Sequence, residues 1–158
     1  MADATTSFAD ARQKAAALED RKGGLPLRTL EALRSSGLPE VLRDRELSGA
    51  LASVRDLART DASIAAIVAS HVAAGWILRR SLPARQPTGK ETLRSVANAA
   101  GIAGIRVGEG WQLDGATVVE AGGLTAEQLV VLFGDAVGGV FAAAIEVDVA
   151  GLSSEPLA

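Results

Sequence analysis

At about residue 90 the chain changes the period on which its apolar residues recur, and this limits its fold more than any other feature. Before that point, Leu27, Leu30 and Leu33 recur at helical spacing, as do Leu51, Val54, Leu57 and Ala58. Ile64, Ile67, Val68 and His71 form a third such stripe. Beyond it, glycines separate short runs rich in β-branched residues: IAGIRV, WQLDGATVV, LVVLF and VFAAAIEVDV. Steps of three and four place side chains on one helix face, whereas short apolar runs bounded by glycine read as strands. The expectation is an α+β chain: an N-terminal antiparallel helical bundle over residues 1–88, then a small antiparallel β-sheet or partial barrel over 89–158.

Local punctuation sets the expected element ends. Ser7 can cap a helix running to about Lys22, with Gly23-Gly24 as its stop. Pro26 suits a first helical turn, and Gly37 lies just past the end of that helix. LPEVLRDRE adds a turn or two, and Ser48 opens the next helix. Asp61 or Thr60 caps the stretch that follows, Arg79 and Arg80 complement its negative end, and Pro83 and Pro87 close the helical run. In the second half Asp114-Gly115 reads as a tight turn between WQL and TVV. Gly134-Asp135 and Gly138-Gly139 bracket another turn. TAEQLVVLF fits a helix by pattern alone and is read as a strand from its β-branched core. The tail from Gly151 is expected to fray.

Composition narrows the function classes. The 158 residues can bury a core, but aromatics are only 3 % of them, with two Trp, three Phe and no Tyr. Platforms for stacking bases or flavin rings are therefore scarce. With no cysteine there is no disulfide, thiolate metal site or thiol nucleophile, which fits a reducing cytoplasm. No apolar stretch follows a basic start at the N-terminus, so no signal peptide is expected. The uncharged run from Ala62 to Leu78 is short for a bilayer and diluted by Ser63, Ser70, His71 and Gly75, so it reads as a buried helix rather than a membrane span. Charge is uneven: residues 1–94 carry 15 Lys and Arg against 11 acids, whereas residues 95–158 carry Arg106 against eight acids. With a pI near 5.2, nucleic acid is not an expected partner.

Few residues invite a chemical reading. His71, the single histidine, falls on the apolar face of its helix, where a ring nitrogen bonded to a nearby carbonyl is expected. It has no companions for metal binding, and no metal ligand set or catalytic residue is assigned. Asp61 and Ser63 are explained by helix capping. Gly101, Gly104, Gly108 and Gly110 lack the helix and the Lys-Ser/Thr pair of a phosphate loop, so turns and close packing account for them. Glu109, Glu120 and Glu146 suggest no pairing, and Trp76 and Trp111 are expected to plug the core.

In order and spacing, several words resemble the acyl-CoA dehydrogenase family. LPLRTLEALRSSGL is similar to its early P-x-x-L-x-x-L-x-x-x-G-L helix, and LARTDASIAAIVASH to its A-R-x-D-A-S-x-A junction. GWQLDGATVVEAGG, AEQLVVLFGD and IEVDVAGL follow the pattern of its middle β domain. The resemblance covers about residues 10–80 and 104–152. It implies an N-terminal α domain, a middle β domain and FAD as cofactor. It also implies an acyl pocket bordered by the central helix, with Ile67, Ser70, His71 and Ala74 as candidate lining. The departures concern chemistry. The family's T-E-P-x-x-G-S-D loop, which meets flavin and substrate, has no counterpart between Pro87 and Gly110. Val119 aligns with the aromatic residue near the flavin, Ala121 with its hydroxyl neighbour and Thr117 with a lysine. The family's C-terminal bundle, which supplies the catalytic glutamate, would lie beyond Ala158. The expectation is a truncated family-like chain without dehydrogenase activity of its own. It would act as a homo-oligomer or beside a full-length acyl-CoA dehydrogenase-like subunit. Two alternatives stay open: an oxidoreductase subunit whose FAD site is completed in trans, and a small acyl-ligand binder.

Overall fold

A computed structural model describes residues 27–81, 92–98, 100–119 and 121–153. The chain divides into two compact units, Met1–Val72 and Ala73–Ala158. The expected helix from Ser7 to Lys22, the prolines 83 and 87, the expected boundary after residue 88, Glu120 and the last five residues lie outside the described residues.

The first unit is helical. Helices α1 (Leu27–Ser35), α2 (Leu38–Asp44) and α3 (Leu47–Ala58) follow one another with short joints, and α4 (Ala62–Ser81) begins in this unit. Leu30 and Leu33 of α1 and Leu38 and Leu42 of α2 are buried, each contributing about 1.5–3 kcal/mol as it leaves water. The α1–α2 joint turns through Gly37 at φ 66°, a conformation that costs a residue with a Cβ about 1 kcal/mol or more. Ser36 holds the bend, its hydroxyl donating to the Leu33 carbonyl at 2.6 Å and accepting the Leu38 N–H at 3.2 Å.

Helix α3 differs from expectation in two respects. It begins at Leu47, so Ser48 lies inside the helix, and Glu46 stands at the cap position without a side-chain cap bond. Its buried face is Ala50, Ser53 and Leu57, while Leu51 is 50 % exposed and Ala58 faces solvent. Small residues win the inner face because they allow close approach. The Ser53 hydroxyl is satisfied there, donating to Gly49 O at 3.3 Å and accepting from Arg45 Nη1 at 3.0 Å. At α4 the expected cap is present: Asp61 Oδ1 accepts the Ile64 N–H at 3.0 Å, and Arg79 and Arg80 occupy the last turn.

The second unit holds the end of α4 and five strands: β1 (Arg94–Ala97), β2 (Ile102–Val107), β3 (Gly110–Gly115), β4 (Gln128–Gly134) and β5 (Val140–Glu146). The chain is α+β, as expected, but the sheet is open and mixed rather than antiparallel throughout. β1 and β2 both run parallel to β4, while β2–β3 and β4–β5 are antiparallel. β5 pairs along all of β4, so β1 and β2 must share the other β4 edge end to end. The step between them falls at residues 98–101. TAEQLVVLF enters as the central strand β4, and GDAVGG turns back to β5, with Asp135 Oδ1 accepting from Val137 N at 3.0 Å and Gly139 N at 2.7 Å.

The tight turn expected at Asp114-Gly115 lies elsewhere. Val107 pairs with Gly110, so the two-residue loop is Gly108-Glu109. Gly108 has φ 59° and among the described residues no non-glycine residue has positive φ, which fits a turn with glycine at its first central position. Asp114 and Gly115 continue β3, opposite Ala103 and Ile102.

The two sheet faces bury different groups. On one, Val130 packs with Ala74 and Leu78 of α4, beside Val96 and Ala142. On the other, Ala97, Ala126, Leu129 and Val131 form a core with Ile102, Leu113, Val119 and Ile145. Phe133, Trp111 and Phe141 extend this second face, with ring centroids 4.6–5.6 Å apart. Phe133 lies across Gly104, where an added Cβ would sit 2.3 Å from its ring. Trp76 and Trp111 are half-buried, so neither is the enclosed plug expected. Arg80 lies 4.9 Å from the Trp76 ring and Arg106 5.3 Å from the Trp111 ring. Across β1, β4 and β5, Arg94 Nε donates to Gln128 Oε1 at 2.7 Å, and Gln128 Nε2 donates to Glu146 Oε1 at 2.8 Å. Glu146 therefore does have a partner.

One described helix, α4, is long and apolar enough to cross a membrane, with a mean hydropathy of 1.4. Of that stretch 56 % is buried within the protein.

Candidate functional site

Beside the step from β1 to β2 lies a groove that includes Thr117, one of the positions that the resemblance ties to cofactor chemistry. The groove has a volume of about 440 Å³ and is lined by Asn98, Ala100, Ala116, Thr117 and Val118. Its two walls are the 98–101 joint and the segment leaving β3. Three contacts tie them together. Thr117 Oγ1 donates to the Asn98 carbonyl at 2.9 Å. Ala97 forms an antiparallel bridge with Val119. At the near end, Gly101 and Gly115 let two backbones touch: φ is 91° and 135°, and a Cβ on Gly115 would lie 1.9 Å from Gly101 O. The Asn98 Oδ1 also accepts the Ala100 N–H at 3.3 Å, which closes the joint as an Asx turn.

The lining decides what the groove can do. It presents three alanine and valine side chains, one carboxamide and one hydroxyl, and that hydroxyl is already committed to Asn98 O. Among the described residues no Lys, Arg, Asp, Glu or His lines it. A flavin needs donors and acceptors along its pyrimidine edge and favourable electrostatics for its phosphate. Val119, in the place of an aromatic ring, contributes to the core beneath the sheet instead. As it stands, the groove can form an apolar wall for such a group but does not fit as its whole binding site, and no redox step is derived through it. Among the described residues no cluster of three or more His, Asp or Glu could hold a metal ion.

None of the four pocket candidates on α4 is among the residues that line this groove. Ile67 is half-buried, and Ser70 and His71 are buried in the helical unit at 7 % and 3 % exposure. The His71 ring has the carbonyl contact expected from its position: Nε2–H donates to Pro39 O at 3.3 Å, which places the proton on Nε2 because a carbonyl can only accept. Ala74 is fully buried and packs in the second unit with Leu78 and Val130. Of the four glycines expected in turns and close packing, Gly101 and Gly108 take positive φ and Gly104 sits beneath Phe133. Asn98 and Ala116 were not singled out from the sequence. The one available signal for Asn98 was an Asn entering a run of small residues, a frequent turn opener.

No protein-family model matches the chain, and a search of curated proteins by sequence gives no match. Solved structures do resemble it. FMN-bound TdsC, a dibenzothiophene monooxygenase from Paenibacillus sp. A11-2, matches with a TM-score of 0.75 at 19 % identity, over 94 % of this chain and 44 % of that one. The methanesulfinate monooxygenase MsuC from Pseudomonas fluorescens matches with a TM-score of 0.73 at 22 % identity, over 94 % and 43 %. KijD3, solved in complex with dTDP, gives 0.67 at 22 %, over 94 % and 45 %. The chain thus spans less than half the length of these proteins. TdsC and MsuC are monooxygenases, TdsC with FMN bound; the fold these structures share is that of the acyl-CoA dehydrogenases, and this chain has it through its helical and β portions.

Proposed function

We propose that this chain acts by association, supplying the helical and strand portions of an acyl-CoA dehydrogenase-fold assembly without dehydrogenase activity of its own. The observation that carries the reading is an uncovered apolar row. Ile105, Val107 and Val140 stand on one face of the sheet and are 61 %, 57 % and 75 % exposed. The register places all three on the Val130 face. Apolar side chains grouped in this way mark a protein contact site more often than free surface. The occupant on this reading is a second copy or a full-length acyl-CoA dehydrogenase-like subunit, in the cytoplasm, a compartment that suits a chain without cysteines. Light scattering on the purified chain during gel filtration tests it. Dimers or higher species support the reading, and a monomer at every concentration removes self-association.

The groove between Asn98 and Thr117 favours a second reading. It lies at positions that the resemblance ties to flavin, and an FMN-bound protein shares the fold. On this reading the chain is one wall of a flavin site that another helical body completes, and the reaction class is flavin-dependent oxidation. Titrating FMN or FAD with the chain alone, followed by flavin fluorescence, separates the two. Saturable binding favours the flavin reading, while no change leaves association as the function of the isolated chain. A third possibility, a small acyl-ligand binder using Ile67, Ser70, His71 and Ala74, requires that acyl-CoA raise the melting temperature.

A further inference from the structure

We propose that the outer edge of β5 is the contact between two copies of this chain, formed by antiparallel pairing of β5 with β5 about a twofold axis at Ala143. This names a surface for the association proposed above and rests on that reading. Among the described residues β5 pairs only with β4. The hydrogen bonds of that pair fix which groups face outward. Val147 N donates to Glu127 O at 3.1 Å, and Asp135 N donates to Gly139 O at 3.1 Å. Bonded pairs alternate along an antiparallel ladder, so Phe141, Ala143 and Ile145 direct their N–H and C=O groups toward β4. Val140, Ala142, Ala144 and Glu146 direct theirs away from it.

That outer row is self-complementary. With the axis at Ala143, Ala142 of one copy faces Ala144 of the other and Val140 faces Glu146. Each opposed pair brings together two outward-facing residues: the Ala142–Ala144 pairs can exchange both bonds, while at the ends the Glu146 N–H can donate to Val140 O and the Glu146 carbonyl already accepts the Val149 N–H at 3.2 Å. Residues directly opposite share a sheet face, so Phe141 of one copy meets Ile145 of the other on the aromatic side. Ala142, Ala143 and Ala144 leave the centre flat enough for close backbone approach. The charges also select this arrangement. Glu146 is the only ionisable residue in the strand, and antiparallel pairing keeps the two Glu146 carboxylates about 20 Å apart at 3.4 Å per residue. In-register parallel pairing would instead place one carboxylate against the other. Edges that stay single are normally guarded by Lys, Pro or a bulge. From Val140 to Ile145 there is neither a charge nor a proline, and the register with β4 runs unbroken.

Ala144 gives the test, because its side chain is exposed and its N–H points outward. Ala144→Pro removes a bond of the proposed contact and none of the β4 ladder, and edge strands tolerate proline at such a position. Ala144→Lys guards the same edge without constraining φ, and decides the matter if the proline variant misfolds. The full chain is followed by light scattering and by residue-resolved amide exchange. The expected result is an oligomer in which the amides of Val140, Ala142, Ala144 and Glu146 exchange about tenfold more slowly than on dilution to monomer. The folded variants are then monomeric, with those amides fast and 141, 143 and 145 still protected. Oligomers that persist in the folded variants, with fast outward amides, overturn the β5 contact while association itself stands. A wild-type chain that is monomeric throughout overturns the β5 contact and self-association together, and leaves only a contact with a different subunit.

Discussion

Replacing Gly104 with alanine tests the packing of the aromatic face. Gly104 lies in β2, where generic strand energetics favour the substitution, since glycine in a strand interior costs about 0.5–1 kcal/mol relative to alanine. The geometry opposes it. A Cβ at residue 104 would sit 2.3 Å from Phe133 Cδ2, 2.5 Å from Cε2 and 3.2 Å from Trp111 Cε3. An ordinary carbon contact needs about 3.5 Å, so the Phe133 ring must move by more than an ångström. It has little room to do so: Phe133 is 1 % exposed, with Trp111 5.2 Å and Phe141 5.6 Å from it between ring centroids. Inserting a methyl group into so filled a space costs about 1–3 kcal/mol, which exceeds the gain in strand propensity. The net expectation is a loss of about 1–2 kcal/mol, or a melting temperature lower by about 4–8 °C per kcal/mol for a unit of this size. Urea unfolding followed by Trp111 fluorescence, in a Trp76→Phe background, measures it. Unchanged or increased stability in Gly104→Ala would show that Phe133 does not lie across this glycine as described.

Other substitutions read other parts of the structure. Gly115→Ala, at φ 135° with a Cβ 1.9 Å from Gly101 O, should destabilise more than Gly104→Ala in the same assay, because a backbone rather than a ring must move. Asp61→Ala removes the oxygen that caps Ile64 N and should cost about 1 kcal/mol in urea unfolding, with Asp61→Asn close to wild type. His71→Ala deletes a buried ring and its bond to Pro39 O, an expected loss of about 2–4 kcal/mol by circular dichroism melts. Asp56→Asn breaks the Arg59 pair at 2.9 Å, but both side chains are more than half exposed. Thermal melts should therefore show a change within about 0.5 kcal/mol.

Local chemistry made the helices legible. Gly37 and Asp61 end and begin helices because a positive φ and an orphan N–H are needs that neighbouring residues alone meet. The α+β class followed from period alone. The stripe of α3 was misjudged because Leu51 looks like the better core residue. Ala50 and Ser53 take the inner face, where Arg45 and Gly49 satisfy the Ser53 hydroxyl. The hairpin turn was misplaced because Asp-Gly is a stronger local signal than Gly-Glu. The turn at Gly108 instead sets Trp111 opposite Arg106 and Gly115 opposite Ile102, where ring packing and the Gly101 contact outweigh turn preference. Parallel pairing of β1 and β2 with β4 depends on residues more than thirty positions apart along the chain, and no local pattern encodes it. The groove was hidden for the same reason, since its walls meet through one Thr117 hydroxyl, one isolated bridge and the close approach of Gly101 and Gly115.

Native mass spectrometry of the chain as purified tests the central claim most directly, because one spectrum reports both subunit count and any retained cofactor. The account predicts an oligomer of this chain, or its complex with an acyl-CoA dehydrogenase-like subunit, with no flavin mass on the isolated chain. A monomer carrying a stoichiometric flavin would contradict it.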